Sequence, residues 1–109
     1  MSTTPTTTLS THVLDAERGR PSAGMRVTVL LTDGTSIEAS TDADGRHRFA
    51  AELPSGVHTL TFSTGDWFSE QGRATFYPSI AVTFEAVDGE HHHVALLLSP
   101  FAYTTYRGS

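Results

Sequence analysis

Residues 25–34, MRVTVLLTDG, contain the pattern that decides the fold of this chain. Met25, Val27, Val29 and Leu31 occupy every second position, which is the period of a strand with one face in a core. The dipeptide Asp33-Gly34 follows, and it favours the tight turn of a two-residue β-hairpin. The segment therefore predicts an antiparallel strand that turns directly into its neighbour.

Short segments of the same kind recur along the rest of the chain, separated by turn residues, and helical periodicity is nearly absent. This pattern predicts an all-β fold, an antiparallel two-sheet sandwich of about a hundred residues. One short helix is expected at residues 66–71, with Asp66 as its N-cap. We predict strands at residues 9–15, 25–32, 37–41, 46–50, 57–63, 80–87, 91–98 and from 103 onwards, with a hairpin turn at Asp88-Gly89.

Length and composition restrict the function. The chain has 109 residues, enough for one domain with a modest core. Its net charge of −5, with seven arginines and no lysine, provides no basic patch for nucleic acid. It contains no cysteine, which excludes disulfides, thiolate metal sites and cysteine nucleophiles.

The N-terminus, residues 1–8, is rich in threonine and lacks the charged start and apolar stretch of a signal peptide. We expect a disordered tail over residues 1–8, one domain over residues 9–109 and a cytoplasmic protein. No apolar run approaches the roughly 20 residues of a membrane helix.

One predicted strand is apolar on both faces, at residues 94–98, VALLL. An antiparallel strand of a sandwich normally shows one face to water. Either the strand is central and its outer leucines are tolerated, or a second subunit covers the outer face. We favour the second interpretation, because five apolar residues in a row are unfavourable in water.

Three histidines are candidates for chemistry. Alternation places His12 on the face of its strand that points away from the core, and His91 and His93 together on the outer face of theirs. Histidine titrates near neutrality, so two of them can divide the roles of base and acid. Structural or solvated histidines are the alternative. A zinc site on His91 and His93 is a further one, but no motif supplies a third ligand, although Glu90 or His12 would be available.

Arg46 follows Asp44-Gly45 at the start of a strand. Such an arginine is either a solvated charge or a fork that binds carbonyl or anionic oxygens. No serine lies in a nucleophile elbow and no phosphate loop is present, so covalent catalysis has no support.

Three stretches of the chain resemble signatures of one family. They are LSTHVLD at residues 9–15 with GRP at 19–21, HHHVALLLSP at 91–100, and YTTYRGS at 103–109. Together they resemble the 5-hydroxyisourate hydrolases, which are transthyretin-like proteins. Two departures are His92, where the family usually has tyrosine between the paired histidines, and Ala95, where it usually has proline. Alternation predicts that His92 faces the core.

The resemblance implies a transthyretin-type sandwich of two four-stranded sheets and a homotetramer with active sites where two dimers meet. It also implies hydrolysis of 5-hydroxyisourate to 2-oxo-4-hydroxy-4-carboxy-5-ureidoimidazoline in urate degradation, by acid–base catalysis without a metal or cofactor. Carried over by motif, the catalytic residues are His12, Arg46 and His93. The substrate-binding residues are those of the C-terminal tetrapeptide, Tyr106, Arg107, Gly108 and Ser109.

Two other functions remain open on the residues alone. One is a non-catalytic sandwich module that binds a partner, and the other is a small-ligand carrier of the transthyretin type. Both predict no turnover. Neither explains the sequence Tyr-Arg-Gly-Ser at residues 106–109.

Overall fold

The structure of the chain, a computed structural model, describes residues 6–109. This part of the chain forms nine strands and one helix, and each of the eight predicted strands is present with ends within two residues of those expected. In chain order the elements are β1 (Thr8–Asp15), β2 (Arg20–Pro21), β3 (Arg26–Leu30), β4 (Ser36–Ser40), β5 (Arg46–Arg48), β6 (Gly56–Phe62), α1 (Thr64–Ser69), β7 (Ile80–Ala86), β8 (His91–Ser99) and β9 (Ala102–Gly108).

The strands form two sheets, as the sequence predicted. The first sheet has the order β2-β1-β8-β9, with β5 also paired to β1, and the second has the order β4-β3-β6-β7. The second sheet has the four strands expected, whereas the first has a fifth, the short β2, within a segment predicted to be only a turn. All pairs are antiparallel except β1 with β8, which is parallel.

Alternating apolar side chains from both sheets fill the space between them. Val27 and Val29 of β3 and Leu60 and Phe62 of β6 are completely buried, which confirms the face predicted from the sequence. Each fully buried side chain of this size contributes about 1.5–3 kcal/mol to folding. The predicted turn after β3 also forms, with Gly34 at a φ of 91° that suits glycine.

The prediction that the strands on either side of Asp88-Gly89 form a hairpin is wrong. β7 pairs with β6 in the second sheet, whereas β8 lies between β1 and β9 in the first, so the turn crosses from one sheet to the other. An Asp-Gly pair specifies a local reversal, but not which strand the next segment joins. The apolar β8 is more stable at the centre of a sheet than beside the edge strand β7.

The helix begins earlier than predicted. α1 starts at Thr64, and Asp66 is in its first turn and not at its N-cap. Contacts distant in sequence set this start, because the Thr64 hydroxyl donates to Tyr77 O at 2.8 Å and the Gly65 N–H donates to Pro78 O at 2.9 Å. The buried Phe68 then fastens the helix to the core.

Ordered structure begins before residue 9. β1 starts at Thr8, and the buried Thr7 accepts hydrogen bonds from Leu53 N and Gly89 N, both at 2.9 Å. These bonds explain why the predicted tail is too long at its C-terminal end; residues 1–5 of it lie outside the described residues.

Within residues 6–109, no helix has the length and apolar character needed to cross a bilayer.

Candidate active site

The parallel pairing of β1 with β8 brings the two predicted catalytic histidines together. Ser10 pairs with His93 and His12 pairs with Ala95, so His12 and His93 are diagonal neighbours on the outer face of the first sheet. Both side chains are half-buried, while their strand neighbours Thr11 and Val94 face the core. The prediction that both histidines point away from the core is confirmed.

Arg46 lies beside His12, because β5 pairs antiparallel with β1 and places these two residues opposite each other. The loop before β5 is held by Asp42, whose Oδ1 accepts hydrogen bonds from the N–H groups of Asp44 at 2.9 Å and Arg46 at 3.0 Å. Gly45 has a φ of 72°, and a side chain there would collide with the carbonyl oxygen of Val13. Glycine thus allows the loop to pass against β1 and deliver Arg46 to the site.

A chain of hydrogen bonds leads from His93 across the same face. Ser10 Oγ lies 2.7 Å from Nδ1 of His93 and 2.8 Å from Nε2 of His91, and Thr8 Oγ1 lies 2.6 Å from Nδ1 of His91. Ser10 is not among the functional residues predicted from the sequence. Its shared face with His12 was visible in the alternation, but its pairing with His93 depends on the register of two strands far apart in the chain.

The C-terminal residues Gly108 and Ser109 reach the site. Gly108 pairs with His93 across β8 and β9, and Ser109 lines a cleft of about 280 Å³ together with Ser10, Arg46 and His93. A Cβ atom on Gly108 would overlap Cδ2 of His93 and lie 3.3 Å from Nε2. Position 108 therefore has to be glycine for the imidazole to occupy its place.

The other two residues of the predicted tetrapeptide lie on opposite faces of β9. Tyr106 pairs with Ala95 and so shares the face of His93, where it is 52% exposed. Arg107 points the other way, where it forms an ion pair with Glu90 at 3.0 Å and donates to His91 O at 3.2 Å. Strand alternation thus points the Arg107 side chain away from the face that His93 and Tyr106 share.

The electrostatics of the site favour neutral imidazoles. Burial, followed by the positive charge of Arg46, lowers the pKa of both His12 and His93 from the usual 6.5. For His12 the carboxylates of Asp42 and Asp44 oppose this shift but do not cancel it. Both histidines are therefore mainly unprotonated at neutral pH, which is the state that a general base needs.

His92 faces the core, as predicted, and is buried. Its Nε2 accepts a hydrogen bond from Val87 N at 3.0 Å, and its Nδ1 lies 3.1 Å from Thr8 O, to which it donates. A neutral imidazole satisfies both backbone groups, which is how a polar ring is accommodated here. The histidine at this departure from the family pattern therefore ties β1 to the end of β7.

The chemistry available is acid–base chemistry assisted by a fixed cation. Two adjacent imidazoles can exchange protons with a substrate, and Arg46 can bind oxygens that carry negative charge. Among the described residues, 6–109, no three His, Asp or Glu side chains are placed to bind a metal ion together.

The chain is similar to known proteins in both sequence and fold. The model of the HIUase/Transthyretin family matches residues 9–108. A Caulobacter vibrioides protein named 5-hydroxyisourate hydrolase is 42% identical over 93% of this chain and 97% of its own length. The solved Klebsiella pneumoniae 5-hydroxyisourate hydrolase superposes with a TM-score of 0.85 at 39% identity, covering 94% of each chain.

The sea bream transthyretin, solved in complex with thyroxine, is also similar. It superposes with a TM-score of 0.83 at 34% identity and covers 92% of this chain and 93% of its own. The sandwich is therefore of the transthyretin type, and proteins on this fold differ in what they do with it. By its sequence over residues 9–108 and by its fold, this chain belongs to the HIUase/Transthyretin family.

Proposed function

We propose that this chain is a hydrolase that opens a ring of 5-hydroxyisourate and yields 2-oxo-4-hydroxy-4-carboxy-5-ureidoimidazoline in urate degradation. The observation that carries the proposal is the convergence of His12, Arg46 and His93 on one half-buried face. The names of the relatives supply the substrate, and the geometry supports the reaction class.

The reaction is hydrolysis of a cyclic amide, in which a C–O bond forms to water and the C–N bond of the ring breaks. One of His12 and His93 removes a proton from the attacking water, and the other gives a proton to the leaving nitrogen. Their lowered pKa values keep a free base at neutral pH. Positioned acid–base groups of this kind contribute about 10²–10⁴-fold to rate.

Arg46 acts on the carbonyl oxygen, which gathers negative charge as water attacks. Its position opposite His12 puts a permanent cation at the edge of the cleft that Ser10, His93 and Ser109 also line. A preorganised charge of this kind stabilises a transition state by about 3–4 kcal/mol. In this proposal Arg46 binds substrate oxygens before it offsets the developing charge.

The C-terminus contributes by position. Ser109 offers a hydroxyl to the cleft, Gly108 leaves room for His93, and Tyr106 offers a phenol on the same face. We assign Arg107 to holding this end of β9 through Glu90 and no longer to the substrate.

We also propose the homotetramer, with active sites where two dimers meet. The support is the apolar patch beside His12 on the outer face, where Leu14 and Leu97 pair across β1 and β8 next to Ala95. A second copy would bury Leu14 and Leu97, which are only partly buried in the single chain, and would enclose the cleft. A monomeric mass by light scattering at micromolar concentration would contradict the assembly.

A small-ligand carrier is the second candidate, favoured by the similarity to a transthyretin in complex with thyroxine. One experiment separates the two. Urate oxidase generates 5-hydroxyisourate from urate, and the ultraviolet decay is followed with and without this protein. Acceleration at catalytic amounts of the chain supports the hydrolase, and an unchanged decay rate contradicts it.

A further inference from the structure

The hydroxyl of Ser10 bonds to two imidazoles at once, with 2.7 Å to Nδ1 of His93 and 2.8 Å to Nε2 of His91. A hydroxyl has one hydrogen, so it donates to one of the rings and accepts from the other. Thr8 Oγ1, 2.6 Å from Nδ1 of His91, completes a continuous line of four side chains. Since His93 is half-buried and His91 exposed, the line runs from the cleft towards the end of the sheet at which β1 and β8 begin.

The hydrogen bonds along this line can all donate in either of two directions. In one, His93 Nδ1–H donates to Ser10, Ser10 donates to His91, and His91 Nδ1–H donates to Thr8, which leaves Nε2 of His93 as a free base. In the other, every hydrogen is reversed and Nε2 of His93 carries a proton. Passing from one to the other moves protons along existing hydrogen bonds and requires no rotation of either ring.

We propose that Ser10 is a positioning residue for His93. We further propose that Ser10 and His91 relay a proton between His93 and the exposed end of the sheet at which β1 and β8 begin. The inference rests on the proposed hydrolysis, in which Nε2 of His93 exchanges a proton with water or substrate. When Nε2 takes a proton, the Nδ1 proton of His93 passes to Ser10 Oγ and the Ser10 hydroxyl proton passes to Nε2 of His91. His93 is left neutral, His91 is left cationic, and the atoms balance.

The products give such a relay a purpose. Opening a cyclic amide at a nitrogen that becomes part of a urea group leaves a carboxylate and no basic amine, so one proton must leave the site in each turnover. Charged and titratable groups surround the relay: His12 on β1 and Arg46 and Arg48 on β5 lie on its own face of the sheet, and His92 on β8 and Arg107 on β9 lie behind it on the other face. The cations among them disfavour a stationary imidazolium and so favour transfer of its proton onwards.

Ser10→Ala removes the relay, Ser10→Thr restores a hydroxyl, and Ser40→Ala is the matched control, an exposed strand serine in the other sheet. The variants are compared by kcat, KM, melting temperature and pH–rate profile. We expect Ser10→Ala to lower kcat about tenfold or more, within the usual range of acid–base contributions, with KM changed less than about twofold. Ser10→Thr should regain most of the rate, and Ser40→Ala should match the unaltered chain.

His91→Asn tests the outer end of the relay. It should lower kcat about fivefold in dilute buffer, less than a loss of His93 itself, and added imidazole should restore the rate because the ring is exposed. Nitrogen NMR titration of the histidines is a readout independent of activity. His91 and His93 should titrate as a coupled pair in the unaltered chain and independently in Ser10→Ala.

An unchanged kcat and pH profile in Ser10→Ala, with the His91 and His93 titrations also unchanged, would overturn the relay. A Ser10→Ala loss that Ser10→Thr does not restore, with a lowered melting temperature, would also overturn it and indicate a packing role. If the unaltered chain does not hydrolyse 5-hydroxyisourate, the proposed function fails by itself. The titrations then decide the relay: lost coupling supports it and unchanged coupling rejects it.

Discussion

Gly108 and His93 face each other across the pairing of β8 and β9, and the imidazole of His93 occupies the space that a side chain at position 108 would need. On its other side the ring forms a hydrogen bond with the Ser10 hydroxyl through Nδ1. The histidine that we propose to be catalytic is thus held between a hydroxyl on one strand and an α-carbon without a side chain on another. The last strand determines the geometry of the site through a residue that has no side chain.

Gly108→Ala should displace the ring of His93 and lower kcat about tenfold or more, because errors of about an ångström in a catalytic group cost that much or more. The melting temperature should change little, since the strand conformation at this position suits alanine. Thr104→Ala, an exposed position of the same strand, is the control. A fully active Gly108→Ala variant would contradict the packing of His93 described above.

Replacing His12 or His93 with asparagine should lower turnover by roughly a hundredfold or more, the usual scale of acid–base catalysis. His47→Asn is the comparison, because His47 faces the other side of β5 and packs edge-to-face on Phe49. Steady-state kinetics on all three variants measure the difference. Equal losses in the three would point to instability and not to chemistry.

In a plot of kcat/KM against pH, the loss of activity on the acidic side (the acid limb) should occur below pH 6.5. Burial and Arg46 lower the pKa of His12 and His93, so the neutral, basic form persists as pH falls through the usual value and is lost only at lower pH. Arg46→Gln removes a positive charge that disfavours the imidazolium, so the limb should move to higher pH. A limb that moves to lower pH in Arg46→Gln would contradict this sign.

Removing Ser109 alone should lower turnover while leaving the melting temperature nearly unchanged, because this residue follows the last paired position of β9 and lines the cleft. Removing residues 107–109 should also lower the melting temperature. That deletion takes away the pairing of Arg107 and Gly108 with β8 and the ion pair to Glu90. Thermal scans and kinetics on the two truncations separate the contributions, and equal melting temperatures would reject the second expectation.

Arg73 should be important for stability and not for chemistry. Its guanidinium is 2.8 Å from Asp15 and 2.6 Å from Glu17 and lies over the ring of Phe68, with the Arg73 and Asp15 side chains only 9% and 3% exposed. Burial opposes ionisation of Asp15. The hydrogen bond and positive charge of Arg73, together with hydrogen bonds from the N–H groups of Arg18 and Glu17, outweigh burial and lower the pKa of the carboxyl group. The contact joins the end of β1 to the segment after α1.

Arg73→Met should therefore lower the free energy of unfolding by about 3–5 kcal/mol, because it leaves a buried carboxylate without its partner. Arg26→Gln, which breaks the exposed pair with Glu38, should cost no more than about 1 kcal/mol. Urea unfolding at one fixed protein concentration compares the two variants. Similar losses would show that burial does not distinguish these pairs.

Local periodicity in the sequence predicts which face of its strand each side chain occupies. Alternation along a strand has a period of two residues, so it assigned His12 and His93 to the outer face, His92 to the core and Tyr106 to the face opposite Tyr103, and the structure agrees. The same rule would have separated Arg107 from Tyr106. The family motif instead groups four consecutive residues as one unit, so the resemblance implied a single location for side chains that alternation places on opposite faces.

The neighbours of each strand and the register of each pair depend on contacts between distant parts of the chain, so they could not be predicted from periodicity. The parallel pairing of β1 with β8 joins segments at opposite ends of the chain, and shifting it by one residue would separate Ser10 from His93. Nothing local encodes that register, because it is set by the apolar faces of both sheets packing together. The hydrogen bonds of Ser10, the space at Gly108 and the sheet that β8 joins all follow from this non-local packing.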